Sequence, residues 1–518
     1  MMARQFDQLR WTASERPDEV AYVDLDRDEP LTFGAWETTS NQLARGLTQL
    51  GVRVGDRVAL YLESSHLARW LISDVAIHKA GAAVVPTNTR LTARELRTIL
   101  AHAEPTVVIT SVALGATLEQ IRADLPSVQH VIRVDTGEWE GALAADGSAC
   151  DPPVGDDDLA DIMYTSGTTG LPKGIAVRHR NTHLIPNGEP RWTGDAWLHS
   201  APLFTFAGIS FLYNPMKMGM RGLFLARFDV DRWFDAVRTH RPTCAFLVPS
   251  MVQLIVHAPR FATADLSSLT LVSIGSAPLT PGLHQAMAER LPSAMVTNNY
   301  SMTEAGTAFT YMPPEEISRR PGSVGIPMGA EIRIGDEDGN TLPAGVVGEI
   351  LIGVGARHRE YYRDPEATAR TWSGEWLHSG DLGALDDDGY LYIRGRMKDV
   401  IIRGGNNVMA ADVEAVLLEH PSVLDAAVVP VPHEVLGEDV GAAVVVRPGE
   451  SLDLDELRSF CGARLSDYKV PRRIWLVDTL PRNPTGKVVK REIVVPDAEV
   501  AEPTPRPDAA RPAEQEQP

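Results

Sequence analysis

Thr165-Ser166-Gly167-Thr168-Thr169-Gly170-Leu171-Pro172-Lys173-Gly174 is the run of sequence on which a reading of this chain turns. Glycines let a backbone aim its N–H groups at phosphate oxygens at positive φ, hydroxyls add donors without bulk, and a lysine adds a compact positive charge. The composition suits a loop wrapped round a polyphosphate, so a nucleoside triphosphate is the first ligand to test. It is not a Walker A loop, in which the lysine directly follows a glycine and precedes Ser or Thr. Here Lys173 stands three residues after Gly170 and is followed by Gly174. A flexible linker of similar composition is the bland alternative. Against it, apolar segments bound the run, Ile162-Met163-Tyr164 before and Ile175-Ala176-Val177 after, and Pro172 stiffens it.

The 518 residues, 44% of them hydrophobic, can bury a large core and should divide into at least two domains. A net charge of −20, from 69 acidic and 49 basic residues, argues against a surface built for nucleic acid or an anionic membrane. Cys150, Cys244 and Cys461 lie far apart without C-x-x-C spacing, so neither a zinc site nor a disulfide framework is indicated, and a cytoplasmic location fits. Arg4, Asp7, Arg10, Glu15 and Arg16 interrupt the stretch where a secretory signal needs an unbroken apolar run. No segment reaches about eighteen consecutive apolar residues, so no integral membrane segment is expected.

From Asn41 to Val108, helical stretches (Asn41 to Leu50, Ala68 to Ala80) alternate with β-rich runs (Arg57 to Leu62, Ala82 to Pro86, then Val107 to Thr110). That grammar belongs to βαβ units and mostly parallel sheets. It recurs from Asp195 to Leu291, with strands expected at Leu223 to Ala226, Ala245 to Val248 and Leu269 to Ile274. After about Gly325 short strands separated by Asp338-Gly339 and Asp388-Gly389 suit hairpins or a small barrel. Past Lys398 a compact α+β unit follows, with a helix near Ala411 to Glu419, strands near Ala426 to Val429 and Ala442 to Val446, and a helix near Leu454 to Leu465. The tail from Asp497 to Pro518, rich in Pro, Ala, Glu and Asp, should be disordered. The expected fold class is α/β: a large N-terminal domain (1–397) of two α/β subdomains plus a small β-barrel-like subdomain, then a small mobile α+β C-terminal domain (398–496) and the tail (497–518).

Three further constellations are weak one at a time. Tyr300-Ser301-Met302-Thr303-Glu304 follows Asn298-Asn299 and offers a ring face for adenine and a hard oxygen for Mg²⁺, although a glutamate near a threonine is more often solvated or capping. Ser379-Gly380-Asp381 presents an aspartate on a tight glycine turn, able to accept from a ribose diol or simply to stabilise its own backbone. Arg482-Asn483-Pro484-Thr485-Gly486-Lys487 carries a lysine on a late turn, where exposed lysines are usually idle.

Taken in order, these motifs resemble the adenylate-forming superfamily of acyl-CoA synthetases, nonribosomal-peptide adenylation domains and beetle luciferases, from about Phe33 to Ile493. Tyr164 to Gly174 looks like that family's phosphate loop, Gly275-Ser276-Ala277-Pro278 like its adenine-side turn, and Tyr300 to Glu304 like its Tyr-Gly-x-Thr-Glu motif. Asp381 looks like its ribose aspartate, Arg396 to Asp399 like its hinge segment, and Lys487 like its catalytic lysine. Two positions depart: Ser301 replaces the usual glycine, and Thr205 stands where many relatives carry a gating histidine.

The resemblance implies the roles. Lys487, Glu304 and Thr165 would be catalytic. ATP would be held by Thr165, Ser166, Gly167, Thr168, Thr169, Gly170, Lys173, Gly275, Ser276, Ala277, Asn299, Tyr300, Ser301, Thr303, Asp381 and Arg396, and Mg²⁺ by Thr165 and Glu304. Lys398 and Asp399 would hinge the C-terminal domain, bringing Gly404, Gly405 and Asn406 to coenzyme A, while Phe204, Thr205, Phe206 and Gly208 would line the acyl pocket. The implied reaction is ATP- and Mg²⁺-dependent activation of a small carboxylic acid to acyl-AMP, then transfer to the thiol of coenzyme A with release of AMP. Apolar Phe204, Phe206, Ile209, Phe211 and Phe309, with no aspartate to pair an α-amine, favour a hydrophobic acid: fatty, alicyclic, aryl or steroid side-chain. The alternative acceptor is a carrier-protein phosphopantetheine. A luciferase-like oxidative enzyme and a catalytically silent nucleotide-binding protein are the remaining readings, and the sequence leaves room for a homodimer or a carrier-protein partner.

Overall fold

The computed structural model describes residues 4–165, 173–182, 185–306, 309–355, 358–483 and 486–496. They fall into two compact units, one running to Ile393 and the other built from Arg394–Asn483 and the residues from Lys487 onward. The expected disordered tail lies outside the described residues.

The first unit holds two α/β layers and an antiparallel sheet. In the first layer, strand Leu159–Thr165 lies antiparallel to Lys173–Arg178, with Tyr164 opposite Gly174 and Thr165 opposite Lys173. This pair is grafted onto four strands, Ala83–Pro86, Arg57–Tyr61, Val107–Thr110 and His130–Arg133, that run parallel to one another and to Leu159–Thr165. The second layer orders Met295–Asn298, Leu271–Ile274, Cys244–Leu247, Ala196–His199, Arg221–Phe224 and Val20–Asp24 in parallel, with antiparallel Glu29–Thr32 at the edge. Strands covered by helices on both faces read as unbroken apolar runs, and Val107–Thr110 and Cys244–Leu247 are buried throughout.

Helix Phe33–Gln49 begins two turns before the expected Asn41. Gly34 and the run Glu37-Thr38-Thr39-Ser40 obscure its period, but the Thr32 hydroxyl caps it by accepting from the Ala35 amide, and Phe33 and Trp36 are fully buried. The antiparallel sheet packs Ile334, Ile350, Ile352, Leu377 and Leu391 into one core. The expected turn at Ser379-Gly380-Asp381 is corrected here: these residues lie inside the strand Trp376–Leu385. Its register slips between Glu349 and Leu351 on the neighbouring strand, and Gly380 adopts φ +68°, so a bulge presents the aspartate.

In the second unit, Asn406–Met409, Val400–Arg403, Gly437–Val446 and Val423–His433 form a sheet, with Arg473–Leu476 parallel to Gly437–Val446. Helices Ala410–Leu418 and Leu454–Gly462 cover one face through Val413, Leu417, Leu457 and Cys461. Val423–His433 outruns the expected Ala426 to Val429 because Pro430 and Pro432 do not end it: they face outward near its end, while Val431 between them is buried. Among the described residues, no helix is long and apolar enough to cross a membrane.

One buried histidine makes the first unit pH-sensitive. The Tyr22 hydroxyl donates to the Phe211 carbonyl at 3.0 Å and lies 3.0 Å from His199 Nε2, so the ring donates through Nε2–H. Nδ1 has no hydrogen-bond partner among the described residues, and protonating it would bury an unpaired N–H; burial accordingly lowers the His199 pKa to about 3. A base whose folded pKa is depressed contributes stability that is complete above its unfolded value near 6.5 and is lost as pH falls toward 3. By this linkage His199 alone costs about 2 kcal/mol on going from pH 7 to pH 5. His199→Gln should therefore shrink the difference between the urea unfolding midpoints at those two pH values.

Candidate active site

Beyond Lys173–Arg178, the first layer gains a two-residue strand, Glu360–Tyr361, with Glu360 opposite Ala176 and Tyr361 opposite Ile175. This pairing builds the site from three distant pieces of chain. The Tyr361 hydroxyl donates to Glu304 Oε1 at 3.3 Å, and Lys173 Nζ lies 4.9 Å over the Tyr361 ring, a cation–π contact. Burial, then the Glu304 charge, push the Tyr361 phenol well above its ordinary range, so it remains a donor. Thr165 stands opposite Lys173 in the same hairpin. Ser166, Gly167, Thr168, Thr169 and Gly170 lie outside the described residues.

The second cluster forms at the C-terminal ends of the second layer's strands, where open α/β sheets bind ligands. Gly275-Ser276-Ala277 leaves strand Leu271–Ile274 through an exposed Ser276 at φ +74°, a conformation non-glycine residues rarely hold. A Cβ on Gly275 would sit 3.2 Å from the Asn299 carbonyl, so the two turns approach closely. Asn299 donates its side-chain amide to Ser273 Oγ at 2.8 Å and Thr297 Oγ1 at 3.1 Å. Tyr300 donates its amide to Thr310 Oγ1 at 2.8 Å and its hydroxyl to Asp381 Oδ2 at 2.7 Å. Asp381 is itself seated by its amide on Ser379 Oγ at 3.0 Å, and Gly380 N–H donates to Glu349 Oε1 at 2.9 Å. Ser301 is exposed and Thr303 half-buried.

In the acyl-side segment, Thr205 has a definite local task. Its hydroxyl accepts from the Gly208 amide at 3.0 Å and donates to the Pro202 carbonyl at 2.8 Å, capping helix Phe206–Lys217. Phe204 is half-buried and Phe206 buried, and a Cβ on Gly208 would overlap the Pro202 carbonyl. Phe211 stacks on Phe246 with centroids 4.0 Å apart.

The remaining candidates belong to the second unit or its entry strand. Arg396 ends strand Leu391–Arg396, and Lys398, exposed, and Asp399 form the single turn that follows. Gly404 and Gly405, at φ +55° and +86°, are the two central residues of the hairpin pairing Arg403 with Asn406, so turn geometry alone accounts for glycine there. Asn483 donates its amide to the Lys487 carbonyl at 2.8 Å and accepts the Lys487 amide on Oδ1 at 2.9 Å, fixing the backbone that bears the lysine.

Two functional-segment residues escape sequence reasoning. Tyr361 joins Lys173 to Glu304, and Arg359, fully buried, donates Nη1 to the Thr303 carbonyl at 2.7 Å and Nη2 to the Asn181 carbonyl, with its guanidinium carbon 4.4 Å over the Phe206 ring. Burial draws the guanidinium down to about 10, against the pull of Asp161 and Glu304, leaving it charged at neutral pH. Only a tyrosine and an arginine in an alternating run before Pro365 mark them in the sequence.

Comparison with known proteins identifies the family. The family described as AMP-binding enzyme matches residues 9–362, and the AMP-binding enzyme C-terminal domain matches residues 412–487. A long-chain-fatty-acid–CoA ligase of Mycobacterium tuberculosis is 33% identical over 93% of this chain and 96% of its own length. A feruloyl-CoA synthase of Amycolatopsis is 35% identical over 89% of this chain and 93% of its own. The crystal structure of ATP-bound MatB from Rhodopseudomonas palustris superposes with a TM-score of 0.85 at 30% identity, covering 95% of this chain and 98% of that one.

Tyr300→Phe removes the donor that orients Asp381. Were Asp381 to hold the ribose, as the resemblance implies, losing a net hydrogen bond of about 1 kcal/mol would correspond to roughly a fivefold loss of ATP affinity, readable by calorimetry on the folded variant.

Proposed function

The chain belongs to the AMP-binding enzymes and is an AMP-forming acid–thiol ligase, and from that premise we propose that it converts a hydrophobic carboxylic acid to its coenzyme A thioester through an acyl adenylate. The observation that carries the reading is the convergence of Lys173 and Glu304 on Tyr361, with Asp381 anchored by Tyr300 in the same unit. Phosphate, metal and ribose groups are thereby held by residues whose side chains are already oriented.

Joining a carboxylate to ATP sets negative oxygen against negative phosphorus, so fixed donors and cations must stand where charge accumulates. Lys173 and the Thr165 to Gly170 loop hold the β- and γ-phosphates in this reading, Asp381 and Arg396 the ribose, and the Gly275 to Ala277 turn with Asn299 the base. Thr165 and Glu304 would supply a hydroxyl and a carboxylate, the hard oxygens magnesium prefers, and the Tyr361 hydroxyl donates to Glu304 Oε1. Magnesium, when bound, neutralises charge on the phosphate oxygens. One carboxylate oxygen of the acid attacks the α-phosphorus, the bond to the bridging oxygen breaks, and pyrophosphate leaves. Lys487 carries the cation that draws the two anions together. In the second half-reaction the thiol sulfur attacks the acyl carbon and AMP departs, with Gly404, Gly405 and Asn406 beside the pantetheine arm.

The apolar Phe206, Ile209 and Phe211, each at most 8% exposed, support a hydrophobic acid. A pyrophosphate-release screen over fatty, alicyclic, aryl and steroid side-chain acids, with coenzyme A or a holo-carrier as sole acceptor, tests the whole reading. Release that depends on an apolar acid, with a coenzyme A thioester as product, is the expected outcome; silence with every acid, or transfer to the carrier alone, would overturn it. Within it, Lys487→Ala should lower acyl-adenylate formation by at least a hundredfold, about 3 kcal/mol of transition-state stabilisation. Thioester formation from a synthetic acyl adenylate should stay within about threefold of the parent enzyme. Equal loss in both halves would refute the division of labour.

A further inference from the structure

A fully buried arginine whose described side-chain hydrogen bonds all go to main-chain carbonyls is an unusual thing for a fold to keep. Taking a guanidinium out of water costs several kcal/mol unless its donors and charge are met. Arg359 is 2% exposed, both of its described hydrogen bonds go to main-chain carbonyls, and Nε has no hydrogen-bond partner among the described residues. Replacing it by an apolar side chain of similar volume would relieve the desolvation, so packing alone does not explain a charge at this position.

The three groups it touches explain it better. Thr303, whose carbonyl takes Nη1 at 2.7 Å, immediately precedes Glu304. Asn181, whose carbonyl takes Nη2, ends the turn that follows strand Lys173–Arg178, the strand that begins with the loop lysine. Phe206, whose ring lies 4.4 Å from the guanidinium carbon, opens the acyl-side helix. A planar fork with two parallel donors and a π-stacking face can satisfy all three at once, and no other side chain can. Its own backbone is pinned as well: its carbonyl accepts from Trp372 Nε1 at 3.0 Å, and the next two residues are paired to Ala176 and Ile175. Opposite, Gly306 stands at φ +63°, and a Cβ there would come within 2.9 Å of the guanidinium carbon.

Building on the ligase reading, we propose that Arg359 is a positioning residue that locks the Thr303–Glu304 turn, the loop-bearing strand and the acyl-side helix into one arrangement and so sets the affinity for magnesium–ATP. It touches none of the reacting atoms; it acts through the carbonyl of Thr303 and the ring of Phe206.

The test reads magnesium–ATP binding by calorimetry, without any acid, on Arg359→Met, Arg359→Lys and Phe206→Leu, each checked for folding by circular dichroism. Arg359→Met keeps volume and loses the fork, and should weaken magnesium–ATP binding at least tenfold. Arg359→Lys, which keeps the charge and can reach one carbonyl, should fall between it and the parent. Phe206→Leu should weaken binding two- to fivefold, and it decides the matter should Arg359→Met not fold. Thioester formation from a synthetic acyl adenylate should change less than threefold in the two Arg359 variants. Magnesium–ATP binding within twofold of the parent in the folded variants, or Arg359→Lys no better than Arg359→Met, would overturn the proposal. A parent enzyme that binds magnesium–ATP but releases no pyrophosphate with any acid would sink the ligase reading and leave this one standing.

Discussion

The antiparallel pairing of Glu360 and Tyr361 with Ala176 and Ile175 is the contact on which the first unit's candidate site rests. It joins residues far apart in sequence and adds one short strand to a hairpin that is itself grafted onto a parallel sheet. Parallel sheets are buried and rigid, whereas the edge of an antiparallel addition is open to carry groups that meet a ligand. The short strand brings a phenol, a guanidinium and their backbone to the one place where the loop lysine and Glu304 can both be reached.

Around that contact the protein separates rigid and adjustable parts. Buried strands at the centres of both layers hold the ends of Leu159–Thr165 and Leu271–Ile274 in place, and the exposed Ser276 turn and the Asp381 bulge depart from regular geometry at those ends or beside them. Strained or irregular backbone concentrates where ligands bind because the surrounding structure over-determines it. The same division is visible in polar bonding: Asn299, Tyr300 and Asp381 are each anchored to another residue of the first unit before any ligand arrives.

Much of this is legible in the amino-acid sequence, for identifiable reasons. The α/β layers are readable because fully buried strands are continuous apolar runs: Val107 to Thr110 is found to the residue, and Arg57 and Leu271 begin or end strands close to where apolarity changes. Lys173, the Tyr300 to Glu304 run and Asp381 stand out in the sequence because glycines, hydroxyls and acids cluster around them. The bulge at Gly380 is not legible, since a glycine before an aspartate looks the same in a turn and in a slipped strand. Nor is the start of helix Phe33–Gln49, where propensity is poor and burial of Trp36 decides. Tyr361 and Arg359 are invisible for a deeper reason: their roles come from a long-range pairing, and nothing local distinguishes them from any tyrosine or arginine on a strand.

The glycine at position 306 has a consequence for how sequences of this kind can drift. Its left-handed backbone disfavours most side chains, and even the asparagine such a geometry tolerates would drive its Cβ into the guanidinium across from it. Positions 306 and 359 are therefore sterically coupled: the arginine closes position 306 to a side chain, and shortening residue 359 would remove that clash while leaving the backbone strain.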